Sequence, residues 1–255
     1  MKSYTKYESL PEYVLRAADN TLILGHRLSE LCGHGPVLEQ DIAITNMALD
    51  LLGQSRMYLQ YAARLFGGEE TEDSLAFLRD GMQFRNCQIV EQPNGDFAHT
   101  IIRSFIFDSY HYFFLESLIR SKDKSLSEIA AKSLKEVTYH RKFSSEWTVR
   151  LGDGTEESHR RMQTALENLW PYSGELTAAD EVDIEMAKNG IGVDLQKIKG
   201  PVDQYRSDIL ERAGLKIPES VYMQSGGKKG VHTEHHGLIL AEMQFMQRAY
   251  PGLNW

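Results

Sequence analysis

Four long stretches of the sequence repeat apolar residues at alternating spacings of three and four, which is typical of helices packed side by side. In the first stretch, this line comprises Val14, Ala17, Thr21, Leu24, Leu28 and Leu31. The predicted helices span about residues 11–32, 39–66, 96–121 and 127–151. Pro11 begins the first helix, and Asp96 and Ser127 are the expected N-terminal caps of the third and fourth. The sequence therefore predicts a bundle of four long helices.

The connections between these helices are unequal in length. Short links join the first helix to the second and the third to the fourth, whereas a long crossover from Gly67 to about Gly95, with a short helix near 72–79, joins the second to the third. This connectivity indicates a ferritin-like four-helix bundle. Further helices are predicted at about residues 155–170, 178–188, 202–213 and 233–250. We expect one all-α domain over 1–255, with a core bundle at about 11–151 and a helical extension at about 152–255.

Composition excludes several classes of function. The net charge of -8 disfavours nucleic-acid binding, and no apolar run is long enough to span a membrane. The N-terminus has no apolar signal segment, so a cytoplasmic protein is expected. Cys32 and Cys87 are too few for a disulfide framework and do not form a CxxC pair. The sequence also lacks a GxSxG elbow and a GxGxxG loop after a strand.

Glu136 and His140 lie one helical turn apart and raise the question of a metal site. Ferritin-like carboxylate proteins hold two metal ions with one glutamate from each of two helices and a Glu-x-x-His pair from each of the other two. Here the inward line of the fourth helix pairs His140 with Val137, and the second helix offers Leu51 and Gln54. Because several anionic ligands are needed to offset two cations in a poorly solvated core, we expect no metal, catalytic or cofactor site in this chain.

Other potential ligand pairs have ordinary structural interpretations. The remaining carboxylate-x-x-His pairs are Asp96 with His99, Asp108 with His111, and Glu156 with His159. Helix capping explains Asp96, and the helix dipole explains Glu156. Asp108 lies on the inward line of the third helix, whereas His111 lies off that line.

Two motifs near the C-terminus stay open. The segment HTEHH at residues 232–236 offers three histidines as zinc ligands, but no cysteine or second carboxylate cluster is near in sequence, so packing or a partner contact is favoured. The loop GGKKG at 226–230 offers Lys228 and Lys229 as candidate anion-binding residues, although it lacks the form of a P-loop and a flexible loop is the favoured interpretation.

Long segments of the chain resemble a known family. These segments are ADNTLILGHRLSELCGHGPVLEQDIAITNMALDLLGQSR, IVEQPNGDFAHT, EWTVRLGDGTEESHRRMQ and HTEHHGLILAEMQFMQRAYPG. They closely resemble the C subunits of bacterial phenylacetyl-CoA epoxidases, the ring 1,2-monooxygenases of phenylacetate breakdown. The likeness covers about residues 12–252.

The resemblance implies a non-catalytic structural subunit of a hetero-oligomeric complex. Its partner would be a related catalytic subunit that carries the di-iron centre and binds the acyl-CoA, together with the other epoxidase subunits and a separate flavin and iron-sulfur reductase. In that catalytic relative the second helix reads like DELGH, where this chain has DLLGQ with Leu51 and Gln54. The fourth helix reads like EESFH, where this chain has EVTYH with Val137 and His140. A homodimer of the isolated chain stays open.

We call Leu51, Gln54, Asp108, Val137 and His140 the vestigial positions. Since an unpaired buried polar group costs about 1–3 kcal/mol, we predict that Gln54, Asp108 and His140 hydrogen-bond or ion-pair with each other.

Two alternatives remain to the structural subunit. One is a stand-alone di-iron oxidase with atypical ligands, namely Asp19, Asp50, Asp108, Glu136 and His140. The other is a helical adaptor whose loop at 226–230 binds the phosphates of an acyl-CoA.

Overall fold

The computed structural model describes residues 9–219 and 221–253. These residues form ten α-helices and no β-strand, which confirms the predicted all-α class. The helices are α1 (Leu10–Ser29), α2 (Leu38–Phe66), α3 (Glu72–Phe77), α4 (Phe97–Leu118), α5 (Lys124–Gly152), α6 (Glu156–Leu169), α7 (Glu181–Lys188), α8 (Leu195–Arg212), α9 (Glu234–Met243) and α10 (Phe245–Ala249).

The four long helices α1, α2, α4 and α5 form the bundle. α1 packs along α2 and α4 packs along α5 as the two most extensive helix pairs. Asp50 contacts His140 while Gln54 contacts Glu136, so residue numbers rise along α2 as they fall along α5. These two helices are therefore antiparallel. Because a short turn makes α4 and α5 antiparallel as well, α2 and α4 run parallel, and the long crossover between them confirms the ferritin-like connectivity.

The helix boundaries confirm some predicted caps and correct others. The Asp96 carboxylate accepts a hydrogen bond from the His99 amide at 3.0 Å, as expected of the N-terminal cap of α4. The predicted cap Ser127 is wrong, because α5 begins earlier. Asp123 caps it by accepting from the Leu126 amide at 3.0 Å, while the Ser127 hydroxyl donates to the Ile119 carbonyl.

Two helices of the C-terminal extension also differ from expectation. α8 begins at Leu195 rather than near residue 202, because Pro201 lies inside the helix instead of marking its start. The predicted helix over 233–250 is interrupted at Gln244, which separates α9 from α10. The Gln244 side-chain amide donates to the Arg79 carbonyl at 2.9 Å, which ties this break to the turn after α3.

The extension packs against the bundle. α6 and α8 contact both α4 and α5, while α7 and α9 contact α1. The guanidinium of Arg206 on α8 is buried and donates to the Ile106 carbonyl at 2.6 Å and to the Ser109 hydroxyl at 2.8 Å. The division into one domain stays a prediction. No helix in the described part of the chain is both long and apolar enough to cross a membrane.

Candidate functional site

The vestigial positions meet in the centre of the bundle. Leu51 and Gln54 come from α2, Asp108 from α4, and Val137 and His140 from α5. All five side chains are buried, with at most 1% of their surface exposed. For Asp108, Val137 and His140, which the helical period places on inward lines, the burial is as predicted.

Gln54 and His140 bond to acids at the edge of this centre rather than to each other. The Gln54 side-chain amide donates to the Glu136 carboxylate at 2.9 Å. The Nε2 atom of His140 lies 3.0 Å from the Asp50 carboxylate. We call these two contacts the crossed pairs. Each joins α2 to α5, but the acid comes from α5 in the first pair and from α2 in the second. The predicted bonding among Gln54, Asp108 and His140 is wrong.

Asp108 is the most isolated of the vestigial polar groups. Neither of its carboxylate oxygens has a hydrogen-bond partner among residues 9–219 and 221–253. Burial raises the pKa of the Asp108 carboxyl to about 6, although the nearby His140 imidazole and Ser144 hydroxyl oppose this rise. That hydroxyl donates to the His140 carbonyl at 3.0 Å rather than to Asp108. Burial also lowers the pKa of His111, one turn further along α4, to about 3. A neutral imidazole and a proton-binding carboxyl thus lie in the same apolar core.

The residues at the bundle centre do not fit a di-iron site. A pair of cations needs several converging carboxylates, whereas Leu51 and Val137 place aliphatic groups where two of them would stand. The crossed pairs direct the carboxylates of Asp50 and Glu136 to His140 and Gln54. In the described part of the chain, the only convergence of three ligand-type side chains lies elsewhere.

Asp19 does not belong to the centre either. Its buried carboxylate forms an ion pair with Arg79 from the crossover and accepts the Arg85 amide at 2.8 Å. Asp19 therefore holds the crossover against α1. The five ligands of the stand-alone alternative are thus divided between two places in the fold.

The other predicted carboxylate and histidine pairs have local partners. Asp96 both caps α4 and contacts Nδ1 of His99 at 2.7 Å. His159 directs Nδ1 to the Gly152 carbonyl at 2.7 Å, at the end of α5. Glu156 lies in the first turn of α6. The Nδ1 atom of His111 is buried and meets no hydrogen-bond partner in the ranges described.

The GGKKG loop surrounds an anion that belongs to the chain itself. The buried carboxylate of Glu175 accepts from the Gly226 amide at 2.8 Å and from the Gln88 amide at 2.8 Å. The ammonium of Lys228 is also engaged, with the Asp183 carboxylate at 2.9 Å and the Ala178 carbonyl at 2.7 Å. Of the two candidate lysines, Lys229 alone is exposed.

The HTEHH segment brings two of its three histidines together. His232 and His236 stack with ring centroids 3.9 Å apart, while the side chain of His235 is 32% exposed and lies 3.9 Å from the Glu234 carboxylate. Beside the stacked rings is Glu91, whose carboxylate contacts His232 Nδ1 at 2.9 Å.

Sequence reasoning missed Asp50, Glu91 and Glu175 as partners of the predicted groups. A signal existed for Asp50, because it precedes Gln54 by four residues just as Glu136 precedes His140. When two such pairs lie on antiparallel helices, the acid of each pair can bond to the amide or imidazole of the other pair. For Glu91 and Glu175 there was no local signal, since both meet segments far away in sequence.

Comparison with known proteins agrees with the resemblance seen in the sequence. The family described as phenylacetic acid catabolic protein matches residues 2–255. The C subunit of the 1,2-phenylacetyl-CoA epoxidase of Escherichia coli (strain K12) is 47% identical over 246 residues, which cover 96% of this chain and 99% of that protein. Because both matches span nearly the whole chain, they cannot come from a short motif shared by unrelated folds. This chain belongs to the phenylacetic acid catabolic protein family.

Proposed function

We propose that this chain is the non-catalytic structural subunit of a multicomponent phenylacetyl-CoA epoxidase. The observation that carries the proposal is the chemistry of the bundle centre, where Leu51 and Val137 are buried and the acids of the crossed pairs bond to Gln54 and His140. Such a centre has neither the charge nor the ligands to hold two iron ions. The relative named above is itself part of an epoxidase, which supports a role within a complex.

The partner in this proposal is a catalytic subunit that carries the di-iron centre, with a separate flavin and iron-sulfur reductase supplying electrons. The chain would bind it through an outer face of α2. Leu38, Ile42 and Leu49 lie at spacings of four and seven on this helix, and their side chains are 69%, 52% and 61% exposed. Residues at these spacings share one helix face. An apolar face of this kind suits an obligate subunit interface.

Coexpression with a catalytic subunit of the same family tests the assignment. The two chains should copurify, and metal analysis after their separation should find iron in the catalytic chain and almost none in this one. About two irons per molecule of this chain would instead identify a stand-alone oxidase and refute the proposal.

Charge substitutions test the interface separately. Leu49→Asp on the exposed α2 face should weaken subunit association at least tenfold, or about 1.4 kcal/mol, because the interface would bury an unpaired carboxylate. Met82→Asp is the matched control, since Met82 is 80% exposed but lies in the crossover outside α2. Equal affinities for the two variants would place the interface on another face.

A further inference from the structure

The C-terminal segment returns to the crossover through a compact polar cluster outside the bundle centre. Glu91 lies in a short helical turn of the crossover, and His232 and His236 lie before and within α9. Glu91 and His232 are 141 positions apart in sequence, yet one ligand-type atom from each of the three residues lies within 4.8 Å of the others. We call this the Glu91 cluster.

The cluster is buried, and its outer contacts are already arranged. The carboxylate of Glu91 is fully buried, and the side chain of His232 is 7% exposed. His232 directs Nε2 to the Phe84 carbonyl at 3.2 Å, which leaves Nδ1 facing Glu91. Metal-binding histidines characteristically donate their second N–H to such a carbonyl, which fixes the ring and raises its basicity.

Glu91 is held in the same manner. One carboxylate oxygen accepts the Thr233 amide at 2.6 Å, and the other accepts the side-chain amide of Asn86 at 3.0 Å. Because a carboxylate oxygen has more than one lone-pair direction, the second oxygen can still bind a cation while it accepts from Asn86. Two of the three ligands are thus oriented before any ion arrives.

The third side chain, His236, has a nitrogen without a use in the fold. It is 2% exposed, and its Nε2 atom has no hydrogen-bond partner in the two described ranges of the chain. A buried ring nitrogen without a hydrogen-bond partner is available to a metal ion, because neutral imidazole is the form that binds metals.

We propose that Glu91, His232 and His236 bind one divalent transition-metal ion of the zinc class. Two histidines and one glutamate with a fourth position for water form a ligand set that zinc accepts. The stacked rings are inclined by only 18°, so the His236 ring must tilt out of the stack for both nitrogens to converge on the ion. The ion would fasten α9 to the crossover, and it is separate from the iron chemistry assigned to the partner subunit.

Zinc binding to the full-length chain tests this inference. Equilibrium dialysis against zinc, after treatment with a chelator, should give one zinc per chain, and Co²⁺ should give the visible absorption of a four-coordinate site. A hundredfold excess of zinc over Kd should raise Tm by about 5–10 °C. His236→Ala and Glu91→Gln should abolish these effects, and Asn86→Ala, which removes an outer contact, should weaken binding about tenfold.

His235→Ala is the matched control, because His235 lies in the same segment but outside the cluster; it should bind zinc as the wild type does. Should Glu91→Gln impair folding, circular dichroism will reveal it, and His236→Ala then decides. The absence of stoichiometric zinc in the wild type would refute the proposal. The contact between His232 and Glu91 would then be a hydrogen bond only. Undiminished zinc binding by His236→Ala would refute it equally.

Discussion

Replacing Asp108 by asparagine should stabilise the protein at neutral pH and leave its stability in acid nearly unchanged. Burial raises the pKa of this carboxyl from 3.8 to about 6, so the folded chain holds the proton more tightly than the unfolded chain. Each tenfold difference in proton affinity corresponds to about 1.4 kcal/mol, and ionised Asp108 therefore lowers the free energy of unfolding by about 3 kcal/mol above pH 6. Below the unfolded pKa this loss disappears.

Urea unfolding at pH 4 and at pH 7.5 measures the effect. Asparagine matches the protonated carboxyl in size but does not titrate, so the variant should gain about 3 kcal/mol over the wild type at pH 7.5 and almost nothing at pH 4. The imidazole of His140, which acts on the Asp108 carboxyl, is present in both proteins. The same difference at both pH values would refute the reasoning, because it would mean that the folded carboxyl is solvated or paired.

Three further substitutions test contacts outside the bundle centre, all by denaturant unfolding. Gly227→Ala should cost about 3 kcal/mol, because its Cβ would lie 2.1 Å from the Asn86 carbonyl. Gly237→Ala, on the exposed side of α9 where a Cβ meets nothing within 4 Å, should instead gain about 0.5–1 kcal/mol; equal effects would contradict the close packing of the loop. Asp19→Asn should cost about 3–5 kcal/mol, since it leaves the Arg79 guanidinium buried without its carboxylate. A loss below 1 kcal/mol would show that solvent reaches this ion pair.

Much of the fold could be predicted from the sequence because it depends on local signals. The apolar period set the long helices, and Asp96 capped α4 as expected. The failures came where a local signal competed with another local signal or with packing. Asp123 and Ser127 are both good caps, and the chain uses the earlier one. Pro201 ordinarily favours a helix start, but the packing of α8 on the bundle holds a helix on both sides of it.

The candidate site was predictable in its positions but not in its bonds. Periodicity places Asp108, Val137 and His140 on inward lines, whereas Leu51 is identified by its spacing from Gln54, which matches that of a Glu-x-x-His pair. Which acid meets His140 depends on how far α2 is shifted along α5, and that shift is set by the packing of whole helices rather than by any short motif. Glu91 shows the same limit over a greater distance, because its approach to His232 depends on the entire path of the C-terminal extension.

The crossed pairs also fix the position of α2 along α5. A slide of α2 along α5 by one turn, about 5.4 Å, would break both contacts together and strand polar groups in the interior. These four side chains thereby fix the position of the outer face of α2 relative to α5. In the proposed complex, the surface offered to the catalytic subunit would therefore be positioned by contacts within this chain.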